Sequence, residues 1–520
     1  MKLPSLLFGI CAIYIPYVNA ESVEINMTNE KLSAASSSIP SSSTILPVVL
    51  APQTDAVVVE PLPKVTEQID QSHLPVDFQN RIKEANNGKV DAMIDVGVAY
   101  LDGAEFLEAD EKKAYYWFKK ASDLNSTDGD YYIGMLAQRK NDYEQASNWY
   151  RKCAEKGDAY CQYAMGYLYE RGLGVPKDYK QARAWYFEAA EQDQEYAQFA
   201  IGLFYHDGLG GDVDYAKAYT WYERSAQNGV ASAVNNLAVM YENGEGMEKD
   251  DESAIYLYRE AANMGSSIAQ KNMGDFYQKG HPLIEKNSYQ AVYWYKRAAN
   301  QGELGAQYAL GQAYEKGDGV GQDLAEAFAW YQLAADNESA EAAMRVAEFY
   351  EKGLGGVKQD MAKAIQWYME LAESDITAAQ LKMADLYLSG QLKNVDIQQI
   401  VKWLQMTEKD NMEAKNQLAI FYLTGNGVAQ DSQKARELLE TAAFKENSDA
   451  QNNLGVMYAR GEGGTKNIFR AIMWFERADA LGNITAKNNL KLLQEESATK
   501  GSMLQYTESV KNSVSTQLVH

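Results

Sequence analysis

Apolar positions recur along this chain in two alternating registers, each with the period of an α-helix. In the stretch Asp158 to Asp193, DAYCQYAMGYLYERGLGVPKDYKQARAWYFEAAEQD, Ala164, Gly166 and Tyr169 fall on one side of a first helix. Gly172 and Gly174 stop that helix, and Val175-Pro176-Lys177 turns the chain. Asp178 opens a second helix, where Ala182, Trp185, Tyr186 and Ala189 line up as an apolar stripe. Neither helix buries its stripe alone, so the pattern predicts a like pair on each side.

The pair recurs along most of the chain. Its second-helix marker is Trp117, Trp149, Trp185, Trp221, Leu257, Trp294, Trp330, Trp367, Trp403, Leu438 and Trp474, a set that holds all nine tryptophans. Successive markers lie 32 to 37 residues apart. Seven positions before each stands Asp or Asn: Asp110, Asp142, Asp178, Asp214, Asp250, Asn287, Asp323, Asp360, Asp396, Asp431 and Asn467. Both residue types cap helix N-termini by accepting a bond from an otherwise orphaned backbone N–H. Three positions before the marker stands Ala, except at Ile400. Three registers locked together over eleven copies predict eleven helix pairs. If each tryptophan plugs the seam between stacked pairs, Trp330→Ala costs ~3–5 kcal/mol.

The pattern A-x-x-x-L-G-x-x-Y-x-x-G-x-G-V-x-x-D-x-x-x-A-x-x-W-Y-x-x-A-A resembles the Sel-1-like repeat, a longer-loop relative of the tetratricopeptide repeat. It is clear in ALGQAYEKGDGVGQDLAEAFAWYQLAA (Ala309 to Ala335) and in LGVMYARGEGGTKNIFRAIMWFERA (Leu454 to Ala478). The likeness runs from Ala92 to Gly482. It implies an all-α, right-handed α-solenoid of about eleven Sel-1-like or tetratricopeptide-like repeats. The family consists mostly of adaptors and scaffolds, although a fold by itself does not fix an activity.

The ends differ from the middle. Met1 to Ala20 reads as a cleaved signal peptide, with Lys2, an apolar run from Leu3 to Val18, and Val18-Asn19-Ala20 before the cut. A short membrane anchor is the alternative, but Pro16 breaks the run, which is shorter than the ~20 apolar residues of a span. No later stretch is apolar enough to cross a bilayer. An exported product, periplasmic or secreted, is therefore expected. Residues 21–78 are rich in Ser and Pro and read as a disordered tether. Residues 79–485 form the solenoid. Residues 486–496 are expected to make a capping helix with Leu490 and Leu493 packed inward, and 497–520 a flexible tail. The second repeat lacks the glycine loop: Gly134 is eight residues from Asp142, whereas Gly166 is twelve from Asp178.

Charge narrows the partners. The 49 Lys and Arg against 72 Asp and Glu give a net charge of −23, which argues against nucleic acid and against an anionic membrane surface. A protein or peptide partner, basic or neutral, fits better. A monomer or a partner-dependent assembly is expected. His73, His206, His281 and His520 share no metal-ligand spacing. The recurrent G-x-G follows a helix, not the strand that a dinucleotide fingerprint requires. Nothing in the pattern implies catalytic residues, cofactor-binding residues or a metal.

Cys153 and Cys161 flank a turn through Gly157 that can bring their Cα atoms within disulfide reach. An exported protein would oxidise such a pair, for ~2–3 kcal/mol; the alternative is two buried thiols. The pair resembles the cysteine-rich Sel-1-like proteins, in which every repeat is stapled. That likeness raises a rival function, a cell-wall or β-lactam-processing enzyme. A third reading is an adaptor of the eukaryotic ER lumen, since Asn26, Asn125, Asn337 and Asn483 open N-x-S/T sequons.

Tetratricopeptide-like geometry places the first helices on the concave face. Carried onto this chain, it turns Tyr131, Tyr160, Tyr163, Tyr167, Tyr196 and Phe199 inward as an aromatic patch suited to recognition. Packing between helices is the alternative. Asn235, Asn236, Asn272, Asn416, Asn452 and Asn453 fall at regular vertical spacing. Their amides would bond either an extended peptide or loop carbonyls of the neighbouring repeat.

Overall fold

The computed structural model describes residues 74–104, 106–392 and 395–499. The stretch read as a signal peptide, nearly all of the one read as a tether and most of the one read as a tail lie outside them. The described residues contain twenty-four α-helices and no strand. One helix, Val76–Asn86, precedes eleven helix pairs that begin with Val90–Asp102 and Glu111–Asp123, and Ile484–Thr499 follows the last pair. The preceding helix starts inside the stretch assigned to the tether. Leu74, Ile82 and Ala85 are buried with the first repeat, which makes it part of the fold. At the other end Leu490 and Leu493 pack on the core of the last repeats, as a cap requires. The chain forms two compact units, up to Glu303 and from Leu304 onward, and within each the helix pairs stack as an all-α solenoid.

All eleven Asp and Asn residues before the second helices are caps. Asp178 accepts from the backbone N–H groups of Lys180 and Gln181, and Asn287 from that of Gln290. In nine repeats the backbone N–H of the cap residue also bonds the carbonyl of a first-helix tyrosine, as Asp178 does with Tyr169 at 2.9 Å and Asn467 with Tyr458 at 2.8 Å. The loop is closed from both sides. In the short second repeat Asp142 instead reaches the Ala137 carbonyl, and Asn141 takes the left-handed turn at φ 59°.

The seam inside each repeat is sealed by the residue after the marker. Tyr150, Tyr186, Tyr222 and Tyr258 in the first unit, and Tyr331 and Tyr368 in the second, are among the largest side chains wholly removed from solvent. In four of these six the ring lies against a helix-one glycine: a methyl placed on Gly166 would stand 2.5 Å from Tyr186, and one on Gly311 2.6 Å from Tyr331. Here the glycine is needed for close approach, not for an unusual φ. Five of these six phenols are buried but satisfied, Tyr150 and Tyr368 through Gln138 and Glu351. Tyr186 donates to Glu170, Tyr258 to Glu242 and Tyr331 to Glu315, each at 2.7 Å.

The tryptophans play a lesser part than their spacing suggests. Trp117, Trp221, Trp294, Trp403 and Trp474 are buried, but Trp149, Trp185, Trp330 and Trp367 are only partly so. Where the contact is plain, the indole bridges consecutive second helices: Trp221 meets Phe187 edge-on at 5.8 Å, and Trp474 meets Phe444 at 5.3 Å. The full cost expected for Trp330→Ala therefore belongs to Tyr331.

Three further devices join one repeat to the next. Buried glutamines reach back to carbonyls at the end of the preceding second helix, as in Gln270 to Ala262 at 3.0 Å and Gln451 to Ala443 at 3.0 Å; these acceptors have no partner inside their own helix. The second loop glycine rests on the start of the preceding second helix. At Gly174, with φ +66°, a Cβ would lie 2.1 Å from the Tyr143 carbonyl oxygen, so both the turn and the contact demand glycine. Once only, the junction is covalent: Cys153 and Cys161 form a disulfide with Cα atoms 5.8 Å apart.

Candidate partner-binding surface

The aromatic positions singled out in repeats two to four lie on the first helices Thr127–Arg139, Ala159–Arg171 and Glu195–Asp207. They divide by depth. Tyr131 and Phe199 are 4% and 3% exposed, with Tyr131 packed 5.7 Å from Tyr150 and Phe199 5.9 Å from Tyr222. These two belong to the helix seam and present no surface, which corrects their assignment to the patch. The packing alternative wins there because both rings lie against the buried ring of the second helix and are covered; Tyr163, at the same position and 5.5 Å from Tyr186, is covered only in part.

Tyr160, Tyr163, Tyr167 and Tyr196 do reach solvent. Tyr160 is 47% exposed, and the other three are partly buried. Tyr163 lies 6.3 Å from Tyr196 on the following first helix, and Tyr160 lies 6.2 Å from Tyr131 on the preceding one. Burial, and next the Glu195 carboxylate, pushes the phenols of Tyr160 and Tyr196 up. Burial and then Glu170 does the same for Tyr163. All three stay protonated near neutrality, offering hydroxyl donors on rigid apolar bodies.

The amides do something else. Asn235, Asn236 and Asn272 are 0% exposed, so they meet no extended peptide. Asn272 donates to Asn235 at 3.4 Å, and Asn235 to Asn236 at 3.3 Å. In the second unit Asn453 donates to Asn416 at 2.9 Å, and Asn489 to Asn452 at 2.9 Å. Neither sequence reading anticipates this. The amides bond one another across neighbouring first helices rather than a peptide or loop carbonyls, because their vertical spacing suits side chains of the same type. Asn416 and Asn452 are 4% and 7% exposed, and Asn453 alone is partly open. The charges of mixed sign on these helices also pair locally: Lys382 with Glu351 at 3.0 Å, Lys271 with Asp275 at 3.2 Å, and Arg345 with both Glu315 and Glu348.

One histidine sits in a setting that resembles acid–base machinery. His206 holds Asp207 through Nδ1 at 2.5 Å and Glu245 of the next repeat through Nε2 at 2.9 Å. Burial opposes its charge, but the bonds to both carboxylates outweigh that and push it up to about 9. With both ring nitrogens occupied by carboxylates, neither is placed to take a proton from a nucleophile. The arrangement is a clamp between repeats.

Comparison with known proteins agrees with this geometry. The family model described as Sel1 repeat matches eleven stretches, from residues 90–126 to 448–483. Among solved structures, a protective antigen present in uropathogenic Escherichia coli strains, displaying an SLR fold, is 29% identical with a TM-score of 0.57. That match covers 81% of this chain and 91% of the antigen. A Sel1 repeat protein from Oxalobacter formigenes is 32% identical over 46% of this chain and 98% of its own, with a TM-score of 0.44. A curated relative, the ERAD-associated E3 ubiquitin-protein ligase component HRD3B of Arabidopsis thaliana, is 35% identical over 101 residues. That segment is 19% of this chain and only 16% of the relative.

Proposed function

This chain belongs to the Sel1 repeat family, and from that premise we propose that it is an exported, non-enzymatic adaptor that holds a protein partner on its first-helix face. The observation that carries the reading is the row of tyrosines left partly open at Tyr160, Tyr163, Tyr167 and Tyr196 on two successive first helices. Tyr is a favoured anchor because it adds apolar area and a polar tip with few rotors to freeze. Among the described residues no helix is long and apolar enough to cross a membrane. Export rests on the sequence of Met1 to Ala20 and is part of the proposal. In a bacterial cell the partners would be envelope assembly, secretion or signalling components.

Affinity capture from the native envelope, with bound proteins identified by mass spectrometry, tests the reading. Tyr160→Ala with Tyr196→Ala should leave the helical circular dichroism intact and remove the captured partner. Capture unchanged by the double substitution rejects the tyrosine row. Turnover of a penicillin or a muropeptide by the purified protein would instead favour the enzymatic rival.

The likeness to the ERAD-associated component favours a second reading, an adaptor in the ER lumen. Asn125 and Asn337 are exposed on turns between repeats, as glycan acceptors must be. Asn483 is 9% exposed and donates to Asp449 at 2.7 Å, which takes it out of consideration. A glycosidase-sensitive mass shift lost in Asn125→Gln with Asn337→Gln supports that compartment; a protein unshifted in a secreting eukaryotic cell rejects it.

A further inference from the structure

The marker register is broken at one point in the first unit, and a groove opens there. Leu257 stands where the neighbouring repeats carry Trp221 and Trp294. The preceding second helix carries Glu223 at the register of Phe187, the ring that Trp221 packs against one repeat earlier. An aromatic pair has thus become a leucine and a carboxylate. Between the helices Tyr215–Gln227 and Asp251–Met264 lies a groove of about 710 Å³, floored by Val234, Leu237 and Tyr241 of Ala231–Asn243.

Its walls have a definite chemistry. Tyr219, Leu257 and Tyr256 are apolar flanks, and Tyr256 is 66% exposed, a large ring held in water. The hydroxyls of Tyr219 and Tyr241 lie 3.3 Å apart, and oxygens so placed can accept a bond from an N–H. Glu223, Glu252 and Glu260 also line the groove, no basic side chain does, and among the described residues none of the three is in an ion pair. A cationic ligand with an apolar anchor meets both features at once.

We propose that this groove docks a basic segment of a partner protein through one indole-sized side chain, which fills the place left by the missing tryptophan. Charge selects that occupant over a segment of this chain or a second copy of it. Residues 21–73 of this chain carry more acids than bases and supply no cationic run. A second copy, at a net charge of −23, is repelled. The groove is walled by second helices and shares no residue with the tyrosine row, and direct binding reads it independently of the capture experiment above.

The test uses the full mature chain and a fluorescein-labelled peptide, Lys-Lys-Trp-Lys-Lys, followed by fluorescence anisotropy. Lys-Lys-Ala-Lys-Lys and Glu-Glu-Trp-Glu-Glu serve as controls. Only the first peptide should bind, with affinity falling as salt rises. Leu257→Trp restores the residue found in the flanking repeats and should fold; it is expected to weaken binding at least about tenfold by occupying the groove. Tyr256→Ala, at an exposed ring, should weaken it by a similar factor without lowering the melting temperature. Glu252→Gln with Glu260→Gln should weaken it several-fold and flatten the salt dependence. Equal binding of the alanine peptide, binding unchanged in both Leu257→Trp and Tyr256→Ala, or no binding by the wild-type chain would each overturn the proposal. So would a dimer in sedimentation that Leu257→Trp dissociates, since the groove would then be a contact between copies.

Discussion

The seam inside a repeat and the seam between repeats are built on neighbouring residues of the same helix, yet to different tolerances. Inside, Tyr331 is wholly buried against Gly311 and hydrogen-bonded to Glu315 at 2.7 Å. Between, Trp330 is only partly covered, as are Trp149, Trp185, Leu257 and Trp367, whereas the residue after the marker is buried in all eleven repeats. A closed seam leaves a ring no alternative position, because interiors are packed as densely as organic crystals. An open seam lets the ring shift or be replaced, and replacement is how a groove arises. Burial is therefore uniform where each pair closes on itself and uneven between one repeat and the next.

The sharpest test of that contrast sets two adjacent substitutions side by side. Tyr331→Ala should cost ~3–5 kcal/mol, the range for deleting a large buried aromatic. Trp330→Ala should cost roughly half as much, about 2 kcal/mol, because less area is removed from water. Urea unfolding followed by circular dichroism measures both, and an equal or reversed order would erase the distinction. Tyr331→Phe isolates the hydroxyl and should cost about 1 kcal/mol.

Reducing the disulfide between Cys153 and Cys161 opens the one covalent junction between repeats and should cost about 2–3 kcal/mol in the chain-entropy description of a short loop. Its loss should lower the first transition of a stack whose stability is summed over neighbours. A melting profile unchanged by reductant would place the weak point elsewhere.

A pH-dependent effect comes from the His206 clamp, which also spans two repeats. Asp207 and Glu245 bind its ring nitrogens, and the Tyr215 and Tyr222 rings pack at 5.2 and 6.5 Å. Its folded-state pKa is raised to about 9 from an ordinary value near 6.5. The contribution is thus complete below about pH 6.5 and fades as pH rises through about 9. His206→Gln should therefore destabilise the chain at pH 6 more than at pH 9.5. A difference that grew with pH would contradict the clamp.

The repeat itself was legible in the sequence because helical period, cap residues and glycine breaks are local properties. Asp110 to Asn467 act as caps whatever lies around them, since the bond runs only two or three residues along the chain. Cys153 and Cys161 were legible as a pair for the same reason. Depth was not. Trp330 and Tyr331 look alike as apolar neighbours, and only the approach of Gly311 makes one of them core. Tyr131 and Tyr160 both read as inward-facing aromatics, but the second helix covers the first and leaves the second open. The amides of Asn235 and Asn272 lie a whole repeat apart, and nothing local says that they choose each other over a ligand. By itself, then, the sequence determined the unit, its caps and its count, while burial and the identity of each side chain's partner were decided by which helix surface arrives opposite, a contact between residues distant along the chain.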